Sequence, residues 1–417
     1  MGPDQGRLGA RVRVAYVMSR FPKVTETFVL FEMLALEELG FEVEVFPLLR
    51  EHERVVHAEA RVLVERAHYC SLFSWRVLAA QLHWLARRPV AYLGTLAAVL
   101  ARTLPSPNYL AGALAFFPKS ALFAREMRAA GVQHVHAHFA NHPALAALIA
   151  HRLAGIPFSF TAHGSDLHVD QTALAWKIAG SAFAVTVSEY NREFVRERAG
   201  AAAAEKVRVI HCGADARIAV RAGEAASDAF EILCVAALRE VKGHRHLLDA
   251  CVLLRDAGLR FRCDLVGSGE LEREIRARIE AAGLGAHVRL LGPLSHDDVL
   301  ARMRAAHALV LPSVLDRDGR REGIPVTLME AMACGLPVVT SRISGIPELV
   351  EDGRSGLLAP PGDARALADA LRRLADSPAL RAELGRGARQ QVERDFDLRA
   401  GARRLGEEIL RARAART

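Results

Sequence analysis

The chain has 417 residues, 51% hydrophobic and 25% charged, a balance that excludes disorder and suits two domains of roughly 200 residues each. Its formal charge of +7 favours anionic partners such as phosphates, nucleic acid or an acidic membrane surface, without choosing among them. Met1 to Arg13 lacks the apolar run of a signal peptide, and runs such as Pro89–Ala101 fall short of the ~20 residues a spanning helix needs. The six cysteines, Cys70, Cys212, Cys234, Cys251, Cys263 and Cys334, lie far apart with no C-x-x-C pair. They predict reduced thiols in a cytoplasmic protein and no structural zinc.

Short apolar runs alternate with amphipathic segments, the pattern of parallel α/β layers. Strands are predicted at Val12–Met18, Val43–Leu48, Val135–Phe139, Phe158–Thr161, Ala184–Val187 and Val207–Ile210, with helices including Glu26–Leu39 and Pro143–Leu153. A stretch rich in Gly, Ala and Asp, Cys212–Asp228, has no clear period, and the register restarts after it. Strands follow at Glu231–Ala236, Arg262–Val266, Val288–Leu291, Ala308–Pro312 and Val338–Thr340. Helices near His244–Ala257, Leu271–Ala282, His296–Ala306 and Pro325–Ala333 separate them. The expected division is 1–213, 214–395 and a cationic helical tail 396–417 that packs back on the first domain. Two βα-repeating halves imply a cleft, with ligands at the carboxyl ends of the strands.

One segment breaks the pattern. From Arg66 to Arg125 there is no Asp or Glu, while Arg76, Arg87, Arg88, Arg102 and Lys119 sit among apolar residues and Trp75, Trp84, Tyr92 and Tyr109. This is either a helical insertion packed within the domain or a basic, Trp-bearing face for the headgroups of an anionic bilayer.

The chemistry concentrates at Glu322-Gly-Ile-Pro-Val-Thr-Leu-Met-Glu330-Ala-Met-Ala-Cys-Gly335, after a strand ending at Leu311-Pro312-Ser313. Pro325 suits a first helical position, where its missing N–H costs nothing, and the free amides of that helix start make an anion site. Apolar residues surround Glu330, so the helix is buried and its carboxylate needs a partner. Upstream, Arg239 and Lys242 lie three residues apart just past a strand end, placed to converge on one diphosphate. The turn Gly267-Ser-Gly269 is weak by itself, because Glu272 takes the third glycine position of a dinucleotide fingerprint. His134, His136 and His138 alternate and so share one strand face. No carboxylate or Cys accompanies them in the sequence, which predicts polar lining of a cleft rather than a metal site.

The E-x7-E frame of Glu322 and Glu330 resembles the signature of the family 4 retaining glycosyltransferases, which have the GT-B fold of two Rossmann-like domains. The resemblance implies that Glu330 binds the donor ribose and Glu322 lies against the transferred sugar. It implies that Arg239 and Lys242 hold the diphosphate, and that the amides of Gly323, Ile324, Pro325, Val326 and Thr327 form the segment meeting sugar and diphosphate. Gly267 and Gly269, with Leu291 and Gly292 after the next strand, fall near the nucleotide. In the first half, Thr161-Ala-His163-Gly-Ser-Asp166 is similar to the family's T-x-H-x-x-D segment, whose His contacts the donor sugar.

The loop Phe21-Pro-Lys23-Val-Thr25-Glu26-Thr27-Phe28 replaces the glycine pair of many members. It resembles a branch that includes colanic-acid-type exopolysaccharide enzymes. Lys23, Glu26, Thr27 and Asp166 are then acceptor-side candidates, with a helix cap by Thr25 or Thr27 as the plainer reading. The implied activity is metal-independent, retaining transfer of a hexose from a UDP- or GDP-type sugar to a glycan acceptor, lipid-diphosphate-linked. No cofactor is implied beyond that co-substrate, and no nucleic acid. A nucleotide-sugar epimerase or phosphorylase, a glycan-binding relic and a glycosidase using Glu322 and Glu330 are the alternatives. The glycosidase leaves Arg239 and Lys242 without a purpose.

Overall fold

The computed structural model describes residues 8, 12–23, 26–51, 60–221, 223 and 227–415. Thr25 and most of Met1–Arg13 lie outside the described residues. The chain forms two compact units, one running to Ile210 and resuming at Arg399, the other His211–Leu398.

The first unit is built on a parallel sheet of β1 (Arg13–Phe21), β2 (Glu42–Arg50), β3 (His134–His138), β4 (Phe158–Ala162), β5 (Phe183–Thr186) and β6 (Val207–Val209), in the order β2-β1-β3-β4-β5-β6. β3, β4 and β5 are buried at every position, as strands covered on both faces must be. The order reverses between β1 and β3, the kind of switch point beside which open α/β sheets bind ligands. The cationic tail is the helix Leu398–Ala414. It buries Ala402, Leu405 and Ile409 in the same cluster as Leu36 and Phe41 and pairs Arg399 with Glu38 and Glu408 with Arg208.

The acid-free segment is helical, at Trp75–Arg87, Pro89–Thr103 and Pro107–Ala129. Most of its aromatics are core residues: Trp84 is fully buried and donates Nε1–H to the Ala121 carbonyl at 2.8 Å, and Tyr92 and Tyr109 are buried too. Lys119 is likewise not a surface cation. Its ammonium donates to the Leu48 and Cys70 carbonyls, and burial pushes it down to about 8. Charge counting along the sequence cannot separate such a lysine from a solvated one. The outer face is apolar nonetheless: Phe73, Trp75, Leu78, Leu82, Val90, Leu93 and Leu104 are exposed. Among the described residues, no helix is long and apolar enough to cross a membrane.

The second unit repeats the architecture with β7 (Phe230–Val235), β8 (Phe261–Val266), β9 (Val288–Gly292), β10 (Ala308–Leu311), β11 (Val338–Ser341) and β12 (Leu357–Ala359), ordered β12-β11-β10-β7-β8-β9. The reversal lies between β7 and β10. Their exits are stitched together, with Val314 N–H donating to the Val241 carbonyl at 2.9 Å. Gly243 has φ +71°, and a Cβ there would stand 1.8 Å from the Pro312 carbonyl oxygen, so only glycine fits. Past Thr340 the structure adds β12 and the helices Ala364–Asp376 and Pro378–Asp395, which periodicity did not single out. All six cysteines are free thiols, four of them buried.

Candidate functional site

In the second unit, the sequence-predicted residues gather at the carboxyl ends of β7, β8, β9 and β10. The helix Val326–Ala333 follows β10 and buries Leu328, Met329, Ala331, Met332 and Ala333 completely. With apolar residues on every side it is a core helix, which fixes Glu330 firmly. Pro325 is the N-cap rather than the first helical residue (φ −66°, ψ 125°). Its extended ψ turns the chain one residue later than proline preference alone suggests.

Glu330 is 9% exposed. Its Oε1 lies 2.9 Å from His296 Nε2, the partner a buried carboxylate requires. His296 opens the helix His296–Ala305 after β9; its place at a helix start beyond a strand end was the only signal for it in the sequence. Lys242 ends a short turn past β7, and its ammonium donates to Glu322 Oε2 at 2.7 Å. Both side chains are largely buried, at 19% and 15% exposure. The predicted cation and carboxylate thus face one another directly across the β7–β10 reversal. Arg239 precedes the same turn with an exposed side chain.

The glycines have structural tasks. Gly267 has φ +140°, a Cβ on it would lie 2.0 Å from the Ala236 carbonyl oxygen, and one on Gly269 would meet Leu238. Both let the β8 exit press against the β7 exit. Gly267 N–H donates to the Gly292 carbonyl at 2.9 Å, and Leu291 and Gly292 are half-buried. Gly323 is half-buried, Ile324 buried, and Val326 and Thr327 form the open first turn.

In the first unit a second constellation forms. His138, the last residue of β3, is buried, with Nδ1 3.0 Å from His163 Nε2 and Nε2 3.0 Å from Glu32 Oε1. Tyr16 donates its hydroxyl to the same oxygen at 2.7 Å. No carboxylate stands beside the histidine run in the sequence; the fold supplies Glu32 from the helix Thr27–Glu38. Its signal was a lone acid among Phe28, Val29, Met33 and Leu36, the apolar face of that helix. Burial raises the Glu32 carboxyl, but the charge and hydrogen bond of His138, the charge of His136 and the Tyr16 hydroxyl outweigh it and bring it down to about 2. Burial, then the charge of His138, holds His163 well below the usual imidazole range. His136 faces Ser159 Oγ at 2.8 Å and Thr161 Oγ1 at 3.0 Å.

Asp166 has a different place from that expected of an acceptor contact. It is buried, and its carboxylate accepts N–H bonds from Ala140, His163 and Gly164. It ties the β3 and β4 exits together, beside Phe139 at φ +76°, a strained conformation for a bulky residue. Lys23 pairs with Glu26. Thr27 is the first helical residue rather than a cap, and Glu26 holds the cap position without a side-chain cap bond.

Comparison with known proteins agrees with the two-unit α/β fold. Residues 25–217 match the family described as Glycosyltransferase Family 4, and 217–391 match Glycosyl transferases group 1. The chain is 31% identical to the colanic acid biosynthesis glycosyltransferase WcaL of Escherichia coli strain K12, over 93% of this chain and 96% of that one. It is 40% identical to the amylovoran biosynthesis glycosyltransferase AmsK of Erwinia amylovora over about half of each, 49% and 50%. Anabaena Alr3699/HepE, solved in complex with UDP, superposes with a TM-score of 0.71 at 18% identity, over 96% of this chain and 100% of that one. The two six-stranded parallel units have GT-B architecture, and the family and sequence matches make the protein a glycosyltransferase. The chain belongs to the family 4 glycosyltransferases.

Proposed function

We propose that the protein transfers a hexose, with retention of anomeric configuration and without a metal ion, from a nucleotide-diphosphate sugar to a growing cell-envelope or exopolysaccharide glycan. The observation that carries this reading is the Lys242–Glu322 pair at the β7–β10 reversal, with Glu330 held in the helix that follows. Lys242 and Arg239 neutralise the diphosphate as the nucleotide leaves, aided by the first amides of the helix Val326–Ala333. Glu330 takes the ribose diol and Glu322 a hydroxyl of the transferred sugar. Gly267, Gly269, Leu291 and Gly292 border the nucleotide. His163 in the first unit meets the transferred sugar, and Lys23, Glu26 and Thr27 serve the acceptor. Electrostatic stabilisation and positioning supply the catalysis, through an oxocarbenium-like state in which the acceptor attacks the face the nucleotide leaves.

Relatives named for colanic acid and amylovoran biosynthesis support an exopolysaccharide acceptor. The UDP complex of the Anabaena structure supports a uridine-type donor. The acceptor is a lipid-diphosphate-linked oligosaccharide at the cytoplasmic face of the membrane, and the exposed face around Phe73, Trp75 and Leu78 docks there among anionic headgroups. NMR of the product anomeric proton tests the reaction. Retention, undiminished by a chelator, is expected; an inverted product or chelator-abolished transfer overturns it.

A further inference from the structure

The carboxyl ends of β1 and β2 carry Arg20, Lys23 and Arg50, and acids neutralise all but the last. Arg20 pairs with Glu51 at 3.5 Å, and Lys23 pairs with Glu26. Arg50, the final residue of β2, is exposed and has no carboxylate partner among the described residues. Its guanidinium lies instead over the Tyr69 ring, 4.8 Å from the centroid.

That ring is fixed. The Tyr69 hydroxyl donates to the Phe21 carbonyl at 3.1 Å, and Phe21 is the register partner of Arg50 on the neighbouring strand. The buried Lys119 ammonium donates to the Leu48 carbonyl at 2.7 Å and the Cys70 carbonyl at 2.9 Å. It thereby fastens the segment carrying Tyr69 to the end of β2. A guanidinium stacked by its face keeps its N–H edge for an oxyanion.

The surroundings say which oxyanion. Phe21 opens the loop Phe21-Pro22-Lys23, read above as acceptor-side. Shortly after Tyr69 the chain reaches Phe73 and Trp75, 97% and 77% exposed, where the apolar face begins.

We propose that Arg50 binds the phosphate groups that join lipid to sugar in the acceptor. This rests on the reading above that the acceptor is a lipid-diphosphate-linked glycan. In such a molecule the lipid lies in the bilayer, the diphosphate at headgroup level, and the sugar projects toward the enzyme. A residue that grips the diphosphate must be close to both the apolar face and the strand ends. Arg50 is the cation on those strand ends that no acid neutralises. Its fork matches two phosphate oxygens at once, which a lysine's point charge does not. Because Tyr69 already holds it, little side-chain freedom is lost on binding. The phosphate of an ordinary anionic headgroup has the same chemistry, so the test must separate the two sources.

Sedimentation of the full-length protein with phosphatidylcholine vesicles does so. The vesicles are plain, or carry undecaprenyl diphosphate, or carry phosphatidylglycerol at equal charge. The wild type is expected to bind the diphosphate vesicles about fivefold more tightly than the phosphatidylglycerol ones. Arg50→Gln is expected to remove that gain, with binding to phosphatidylglycerol vesicles kept within about twofold of wild type. Lys242→Ala is expected to keep the gain, and its loss there assigns the lipid to the donor site and overturns the proposal. No gain in the wild type overturns the acceptor reading, and the proposal with it. A gain that survives Arg50→Gln overturns the proposal alone. So does an equal loss on both anionic vesicles, which makes Arg50 a general headgroup contact.

Discussion

Lys242 does not wait as a bare cation. It is neutralised by Glu322 at 2.7 Å, a partner that the diphosphate of the proposed donor would share or displace. Removing one preorganised charge at a site of developing negative charge lowers turnover about 10²- to 10³-fold, which is the loss expected in kcat for Lys242→Ala. Glu330 plays another part, because His296 and the buried helix hold it in place before any ligand arrives. A hydrogen bond to a charged group contributes about 1.5–3 kcal/mol, so Glu330→Ala is expected to weaken donor binding by roughly 10- to 100-fold with a smaller effect on kcat. Steady-state kinetics with varied donor separates the two. If both variants show wild-type constants, the site is elsewhere.

At the scale of elements, β7 and β10 illustrate what periodicity makes legible. Their apolar runs end at charged or glycine-bearing turns, so both strands and the charged residues beyond their ends could be read from the sequence. What brings Lys242 to Glu322 is strand order, and order depends on contacts between distant segments that no local pattern encodes. Glu32 is illegible in the sequence for the same reason: within its helix it is one acid on an apolar face, and only the β1–β3 adjacency shows that a histidine faces it. β12 has three residues, too few for a period. Gly243→Ala forces a Cβ onto the Pro312 carbonyl at positive φ and is expected to cost about 2–4 kcal/mol, read as a clear fall in melting temperature. Trp75→Asp combined with Leu78→Asp is expected to reduce sedimentation with anionic vesicles severalfold while leaving transfer to a soluble acceptor unchanged. Equal sedimentation removes the membrane-docking reading.

For the whole molecule, the buried histidines of the first unit set an acid limit. Burial pushes His134 down to about 3, whereas an unfolded histidine takes its proton near 6.5. Between those values the unfolded chain binds the extra proton, so stability falls as pH falls. Glu32 acts with the same sign lower down, since its carboxyl stays ionised to about 2 in the fold and protonates near 4.3 when unfolded. The melting temperature is therefore expected to drop progressively from pH 6.5 to 4, and His134→Phe to flatten that slope in scanning calorimetry; parallel slopes contradict the assignment.

Calorimetric titration of UDP-glucose and a GDP-sugar reads out the proposed grip of the second unit on a nucleotide-diphosphate sugar through Lys242, Glu322 and Glu330. The expected result is saturable binding of one of them by the wild type, weakened at least tenfold in both Lys242→Ala and Glu330→Ala. Binding of equal strength in all three proteins, or binding of neither donor, contradicts it.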